Sequence, residues 1–253
     1  MTLRTRIIAC LDVRHGRVVK GVNFVNLTDE GDPTELAGRY ARGGMDEIVY
    51  LDIAASPEGR SAFLDVIHRT AEQVFVPLTV GGGVREVEDM RQVLRAGADK
   101  VSLNTAAVRN PPLLDQCART FGNQCVILAI DAKSRPDGGW SVFVNGGRQD
   151  TGLDVVDWAA EGVTRGAGEI LLTSMDSDGT NAGFDTRLLK TVTERVNVPV
   201  IASGGAGNPR HFVEAVRAGA SAVLAASIFH RRLVELAEIK QAMSEAGIAV
   251  RHV

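Results

Sequence analysis

Apolar residues in this chain gather in eight short runs with little internal alternation, and the stretches between them repeat their apolar positions at helical spacing. A run of four to eight apolar residues without alternation reads as a strand buried on both faces, as in a parallel sheet. Strands are predicted at Ile7–Leu11, Ile48–Leu51, Pro77–Val80, Val101–Leu103, Val126–Ile130, Ile170–Thr173, Pro199–Ala202 and Ala222–Ala225. Helices are predicted near Pro33–Gly43, Ser61–Gln73, Val87–Ala96, Pro111–Phe121, Leu153–Arg165, Asp185–Val196, Arg210–Ala218 and Leu233–Ala246. Several of them stop on glycine (Gly97, Gly122, Gly166, Gly219), which takes the left-handed cap without a Cβ penalty. Eight strand-helix units in strict alternation predict α/β architecture closed into a (β/α)8 barrel, the TIM barrel, as one domain over residues 1–253. An open, doubly wound sheet is the alternative, but it needs two edge strands, and no strand carries the charges or prolines that would blunt both edges.

The pattern also repeats. IIACLD (Ile7 to Asp12) is answered 119 positions later by VILAID (Val126 to Asp131), each an apolar strand that stops on a carboxylate. At an offset of 122, Asp46 to Tyr50 is answered by Gly168 to Leu172, Val76-Pro77 by Val198-Pro199, Gly82-Gly83 by Gly204-Gly205, and Ala96-Gly97-Ala98 by Ala218-Gly219-Ala220, while Gly81 is replaced by Ser203. One offset across several separate blocks predicts a barrel built from two similar half-barrels. Two connections are longer than usual: Val13 to about Asp32, read as a loop, and the segment containing WSVFVNGG (Trp140 to Gly147), read as a small hairpin. Both follow carboxyl ends of strands, where long loops either cover a substrate or are plain insertions.

Composition narrows the field. With 45% hydrophobic and 23% charged residues the chain is expected to be globular, and a formal net charge of -3 offers no electrostatic footprint for nucleic acid. Anionic ligands must then be held by local geometry. Cys10, Cys117 and Cys125 show no metal-ligand spacing and read as buried small residues, and His15, His68, His211, His230 and His252 show none either. No metal or cofactor is assigned, and His211 and His230 are expected at helix starts or in packing. The apolar run before Asp12 is too short and too soon interrupted to read as a signal peptide and nothing approaches a span of about 20 apolar residues, so a soluble cytoplasmic protein without membrane contact is expected.

In a barrel the carboxyl ends of the strands form the catalytic face, which would set Asp12 and Asp131 on opposite sides of its mouth. Two carboxylates at equivalent positions of a duplicated half favour a general acid and base over loop caps or partners of Lys20 and Lys133. Gly81-Gly82-Gly83 and Asn104-Thr105 follow the third and fourth strands; Gly204-Gly205 and Ala226-Ser227 follow the seventh and eighth. Glycines let backbone N–H groups approach a phosphate and a hydroxyl adds a hydrogen bond, so the duplication predicts two phosphate sites and a long substrate phosphorylated at each end. Asp178-Gly179-Thr180 either extends the second site or is a plain turn. At the amino ends, Arg6, Glu47, Lys100 and Glu169 stand at or just before four strands; this ring of charges either closes the floor with salt bridges or forms a polar floor that opens.

RIIACLDV with GRVVKG, LTVGGGV, ADKVSLNTAAV, VILAIDAK, GAGEILLTSMDSDGT, IASGGAG and LAASIFH spread over nearly the whole chain, and with them it resembles the cyclase subunits of imidazole glycerol phosphate synthase, from histidine biosynthesis. The resemblance implies attack of ammonia on a bisphosphorylated formimino-aminoimidazole carboxamide ribonucleotide, closing to imidazole glycerol phosphate with release of aminoimidazole carboxamide ribonucleotide. It implies Asp12 and Asp131 as the acid and base pair and Lys20 in a mobile loop over the substrate. It also implies that Arg6, Glu47, Lys100 and Glu169 admit ammonia made by a separate glutaminase subunit. The stretch from Ser134 to Asp137 is expected to be surface loop. The related sugar isomerase of the same pathway shares the half-barrel repeat, the carboxylates and the phosphate sites, but ACLDV with VVKG and the floor charges favour the cyclase. A silent barrel that only binds phosphorylated metabolites is disfavoured by the presence of both aspartates.

Overall fold

A computed structural model describes residues 3–22, 25–53 and 59–251, with the side chains of residues 20–22, 25–27, 59 and 60 left aside. The strands are β1 (Arg6–Arg14), β2 (Arg17–Val22), β3 (Val25–Gly31), β4 (Glu47–Asp52), β5 (Leu78–Gly81), β6 (Lys100–Leu103), β7 (Val126–Ser134), β8 (Trp140–Val144), β9 (Gln149–Asp154), β10 (Glu169–Ser174), β11 (Val200–Ser203) and β12 (Ala222–Ala225). The helices are α1 (Pro33–Arg42), α2 (Gly59–Ala71), α3 (Val87–Arg95), α4 (Thr105–Arg109), α5 (Pro112–Phe121), α6 (Val155–Thr164), α7 (Thr186–Thr193), α8 (Pro209–Arg217), α9 (Ser227–His230) and α10 (Leu236–Glu245).

Strands β1, β4, β5, β6, β7, β10, β11 and β12 pair in parallel in that order, and β12 pairs with β1, so the sheet closes on itself. The eight-unit barrel expected from the pattern is therefore what forms, and each predicted strand has its counterpart. Alternation along each strand then divides the core in two. Ile8, Cys10, Val49, Ile127, Leu171, Ile201, Ala222 and Leu224 pack inside the barrel. Their neighbours, such as Ile7, Ala9, Leu11, Leu128 and Ile130, pack outward against the helices. Helices close as the glycine signals imply: Gly97, Gly122, Gly166 and Gly219 have φ of 117°, 91°, 104° and 106°.

Three features depart from the reading of the sequence. The segment after the first strand, expected as loop, contains β2 and β3, which pair antiparallel with each other while β2 continues on the extended end of β1. The expected hairpin after the fifth strand exists but turns at 145–148 and continues through β9 beyond Gly147, and its first arm pairs with β7 from Asp131 to Ser134. The stretch at Ser134 is accordingly strand at its start. Two short helices, α4 and α9, have no counterpart in the sequence pattern: four or five residues span barely one turn, too little for an apolar period to register. They begin at equivalent places in the two halves, after backbones of nearly the same unusual shape, φ -123° and ψ -92° at Asn104 against φ -125° and ψ -77° at Ala226.

Candidate active site at the barrel mouth

Side chains in a strand alternate, so Arg6, Ile8, Cys10 and Asp12 lie on one parity, and Ile127, Ala129 and Asp131 on the matching one. Both parities face the barrel interior, which turns the two aspartates inward at the carboxyl ends of β1 and β7. Asp12 is buried, with the Cys10 thiol 3.9 Å from its Oδ1. Asp131 is partly exposed to the mouth, and Asn104 donates from Nδ2 to its Oδ2 at 2.9 Å. Desolvation by the surrounding wall pushes the Asp131 carboxyl up to about 6; the Asn104 hydrogen bond opposes this and the negative charge of Asp178 adds to it. A carboxyl balanced near 6 exchanges its proton readily at neutral pH, as a general acid or base must.

One cavity at the mouth is lined by both aspartates together with Asp178, Gly179, Gly204, Gly205, Ala226 and Ser227. The structure thus unites the carboxylate pair with the second glycine constellation. It adds Cys10, Thr173, Asn181 and Ser203, which the motifs alone do not mark. Thr173 and Ser203 carry a usable signal, being polar residues at the carboxyl ends of predicted strands. The first constellation, Gly82, Gly83 and Thr105, does not line this cavity; it sits at the ends of β5 and β6 on the same face, tied to the pair through Asn104. The Lys20 side chain lies outside the described residues.

Glycine is needed here for reasons of packing as well. Gly82, at φ +91°, abuts the Asp52 carbonyl, and its counterpart Gly204, at φ +88°, abuts the equivalent Ser174 carbonyl so closely that a Cβ at either would collide with backbone. The same turn shape therefore recurs in both halves. Among the described residues nothing hydrogen-bonds the Ser227 hydroxyl, whereas Thr105 Oγ1 accepts from the Asn145 amide at 3.0 Å. No group of three or more ligating side chains that could hold a metal occurs among the described residues. His230 packs, as expected: its Nδ1 lies 2.6 Å from the Tyr40 hydroxyl and the rings stack, while His211 Nδ1 accepts from the Gly207 amide at the start of α8.

At the opposite end of the same inward rows, Arg6, Glu47, Lys100 and Glu169 form a closed ring. Arg6 bridges Glu47 at 2.6 Å and also Glu169, and Lys100 bridges Glu47 and Glu169 at 3.0 Å each. Thr79 adds a hydrogen bond to Glu47 at 2.7 Å. Burial works against the Arg6 charge, but Glu169 and Glu47 outweigh it and hold its pKa above the usual value. The salt-bridged floor is thus a feature of the fold, whatever else it does.

The family model described as histidine biosynthesis protein matches residues 6–235. Over 251 residues, 98% of this chain and 96% of the relative, the sequence is 64% identical to "Imidazole glycerol phosphate synthase subunit HisF" of Caulobacter vibrioides. Proteins of the same name from Streptococcus sanguinis and Mycobacteroides abscessus are each 56% identical, over 98% and 99% of this chain and 99% and 100% of theirs. The chain belongs to the HisF family. The cyclase expected from the resemblance is borne out over the sugar isomerase, and a subunit implies a complex with another subunit. No helix among the described residues is long and apolar enough to cross a membrane.

Proposed function

We infer that the chain is a cyclase subunit that closes the imidazole ring of imidazole glycerol phosphate, with Asp12 and Asp131 exchanging the protons. The observation that carries the assignment of the pair is their convergence on one cavity at the carboxyl face, from strands on opposite sides of the barrel. Amination followed by ring closure and release of a carboxamide needs protons removed from nitrogen and returned to the leaving group. Two carboxyl groups in one enclosed mouth serve both directions, and Asp131, with its proton balanced near 6, suits the base role once deprotonated at neutral pH. A bisphosphorylated substrate would span the mouth, one phosphate at Gly82, Gly83, Asn104 and Thr105 and the other at Gly204, Gly205, Ala226 and Ser227, with Asp178 and Gly179 bordering the second and Lys20 in the hairpin above. The short α4 and α9 contribute exposed N–H groups and hydroxyls to these sites rather than a sizeable dipole.

The partner subunit is, on this reading, a glutaminase docked on the floor, and the complex works in the cytoplasm. Leu3, 95% exposed ahead of β1, and Phe75, 90% exposed ahead of β5, offer apolar contact on the face that carries the charged ring. Ammonia made there reaches the mouth through the barrel only if the ring of Arg6, Glu47, Lys100 and Glu169 opens. The test of the assignment is turnover of the bisphosphate by the purified chain with ammonium salt and no glutamine. A chain that isomerises a sugar or merely binds metabolites would form no imidazole product.

A further inference from the structure

The β8–β9 turn reaches across to the first glycine site. The Asn145 N–H donates to Thr105 Oγ1 at 3.0 Å, and an amide N–H can only donate, so the hydroxyl must accept there and direct its own proton elsewhere. A phosphate oxygen, which only accepts, is the complement of a hydroxyl turned in this way. Asn145 is itself held in place. Its backbone is left-handed at φ 57°, Arg109 Nη2 donates to its Oδ1 at 3.1 Å, and its Nδ2 donates to Gln149 Oε1 at 2.8 Å. Arg109 closes the five-residue helix that Thr105 opens, so helix and turn are joined at both ends of α4. The second site has no such brace, since nothing described hydrogen-bonds Ser227 Oγ.

We propose that Arg109 and Asn145 are positioning residues that fix the Thr105 hydroxyl as a donor toward one phosphate of the substrate. The proposal rests on the reading of Asn104–Thr105 as a phosphate site. Neither side chain need touch the substrate; both act through the hydroxyl. Of the two phosphates, the one at this site meets a donor oriented in advance, and the one at Ser227 meets a rotor.

The test uses the full chain, the bisphosphate substrate and saturating ammonium salt. Arg109→Met and Asn145→Gly remove the brace while keeping the Asn145 N–H and a residue tolerant of positive φ. Each is expected to raise KM for the bisphosphate about tenfold, to leave kcat within about twofold and to keep the melting temperature, with partial recovery in Arg109→Lys. Thr105→Val should raise KM at least as far, and adding Arg109→Met to it should raise KM no further. If Thr105→Val raises KM while the two brace variants stay at the wild-type value, the positioning role is overturned and the phosphate site stands. If Thr105→Val changes nothing, the phosphate reading itself falls. An equal rise from Arg109→Met in both backgrounds would show the guanidinium acting on substrate charge directly, which also overturns the proposal.

Discussion

Asp131→Asn should make the protein more stable and much less active. The folded carboxyl holds its proton up to about 6, against an ordinary value of 3.8, chiefly because the barrel wall desolvates its charge. That gap corresponds to at most about 3 kcal/mol of strain against the ionised form. The sign follows from proton linkage. Between pH 3.8 and about 6 the folded state binds more protons than the unfolded, so stability falls as pH rises through that window, and the whole penalty is present above it. Asparagine, with nearly the same shape and no charge, removes the penalty and can still accept from Asn104 Nδ2.

The gain should therefore be about 3 kcal/mol at pH 8, about half of that at pH 5, and near zero below the ordinary carboxyl range. For a chain of this length it amounts to about 6 °C in Tm at pH 8 and about 3 °C at pH 5. Thermal melts of both proteins at the two pH values, followed by circular dichroism, measure it. Turnover should drop by at least about 10²-fold in the same variant, so loss of activity cannot be laid to unfolding. A variant that melts at or below the wild type at pH 8, or a gain that does not shrink toward pH 5, would refute the desolvated carboxyl.

Asp12→Asn should likewise cut turnover by at least about 10²-fold with little change in substrate binding, measured by titration calorimetry; near-normal turnover rejects its role. With Asp131 as base, kcat/KM expressed per free ammonia should fall on the acid side with a midpoint near the 6 of its carboxyl, and a fall on the alkaline side instead would make it the acid. Crystals soaked in phosphate or sulfate should show two anions, one near Gly83 and Thr105 and one near Gly205 and Ser227; a single anion at saturation counts against two phosphate sites. Lys100→Ala should disturb coupling of glutamine hydrolysis to cyclisation while activity with added ammonium survives; parallel losses that track Tm would leave the ring a structural feature only.

Much of this is legible because a parallel barrel writes itself plainly. Strands buried on both faces are unbroken apolar runs, so all eight fall within a few residues of their expected places, and the terminal carboxylates of β1 and β7 stand out against them. Parity is legible too: positions 6, 8, 10 and 12 share a face, which puts the floor arginine and the mouth aspartate in one inward row. What stays hidden depends on reach across sequence. Arg109 and Asn145 are 36 positions apart, and nothing in either neighbourhood marks them as partners. Asn104 gives its place in the motif but not its hydrogen bond to Asp131, 27 positions on. The arms β2 and β3 escape notice because their polar and glycine residues dilute the alternation that a half-exposed hairpin should show.

The two halves differ where their chemistry would have to differ. Backbone is shared: Gly82 and Gly204, after β5 and β11, and the odd dihedrals at Asn104 and Ala226 nearly repeat, as paired phosphate sites built from main-chain N–H groups would require. Side chains are not. Asn104 binds Asp131, whereas its counterpart Ala226 has no amide to offer Asp12, and Asp178 stands near Asp131 to raise its pKa. An acid and a base in one mouth must hold their protons differently, and a strictly symmetric barrel would give both carboxyls one environment. Duplication would thus supply matched anchors for two ends of a substrate, while asparagine against alanine at one residue of the repeat gives the Asp131 carboxylate a side-chain amide donor that the equivalent position does not offer Asp12.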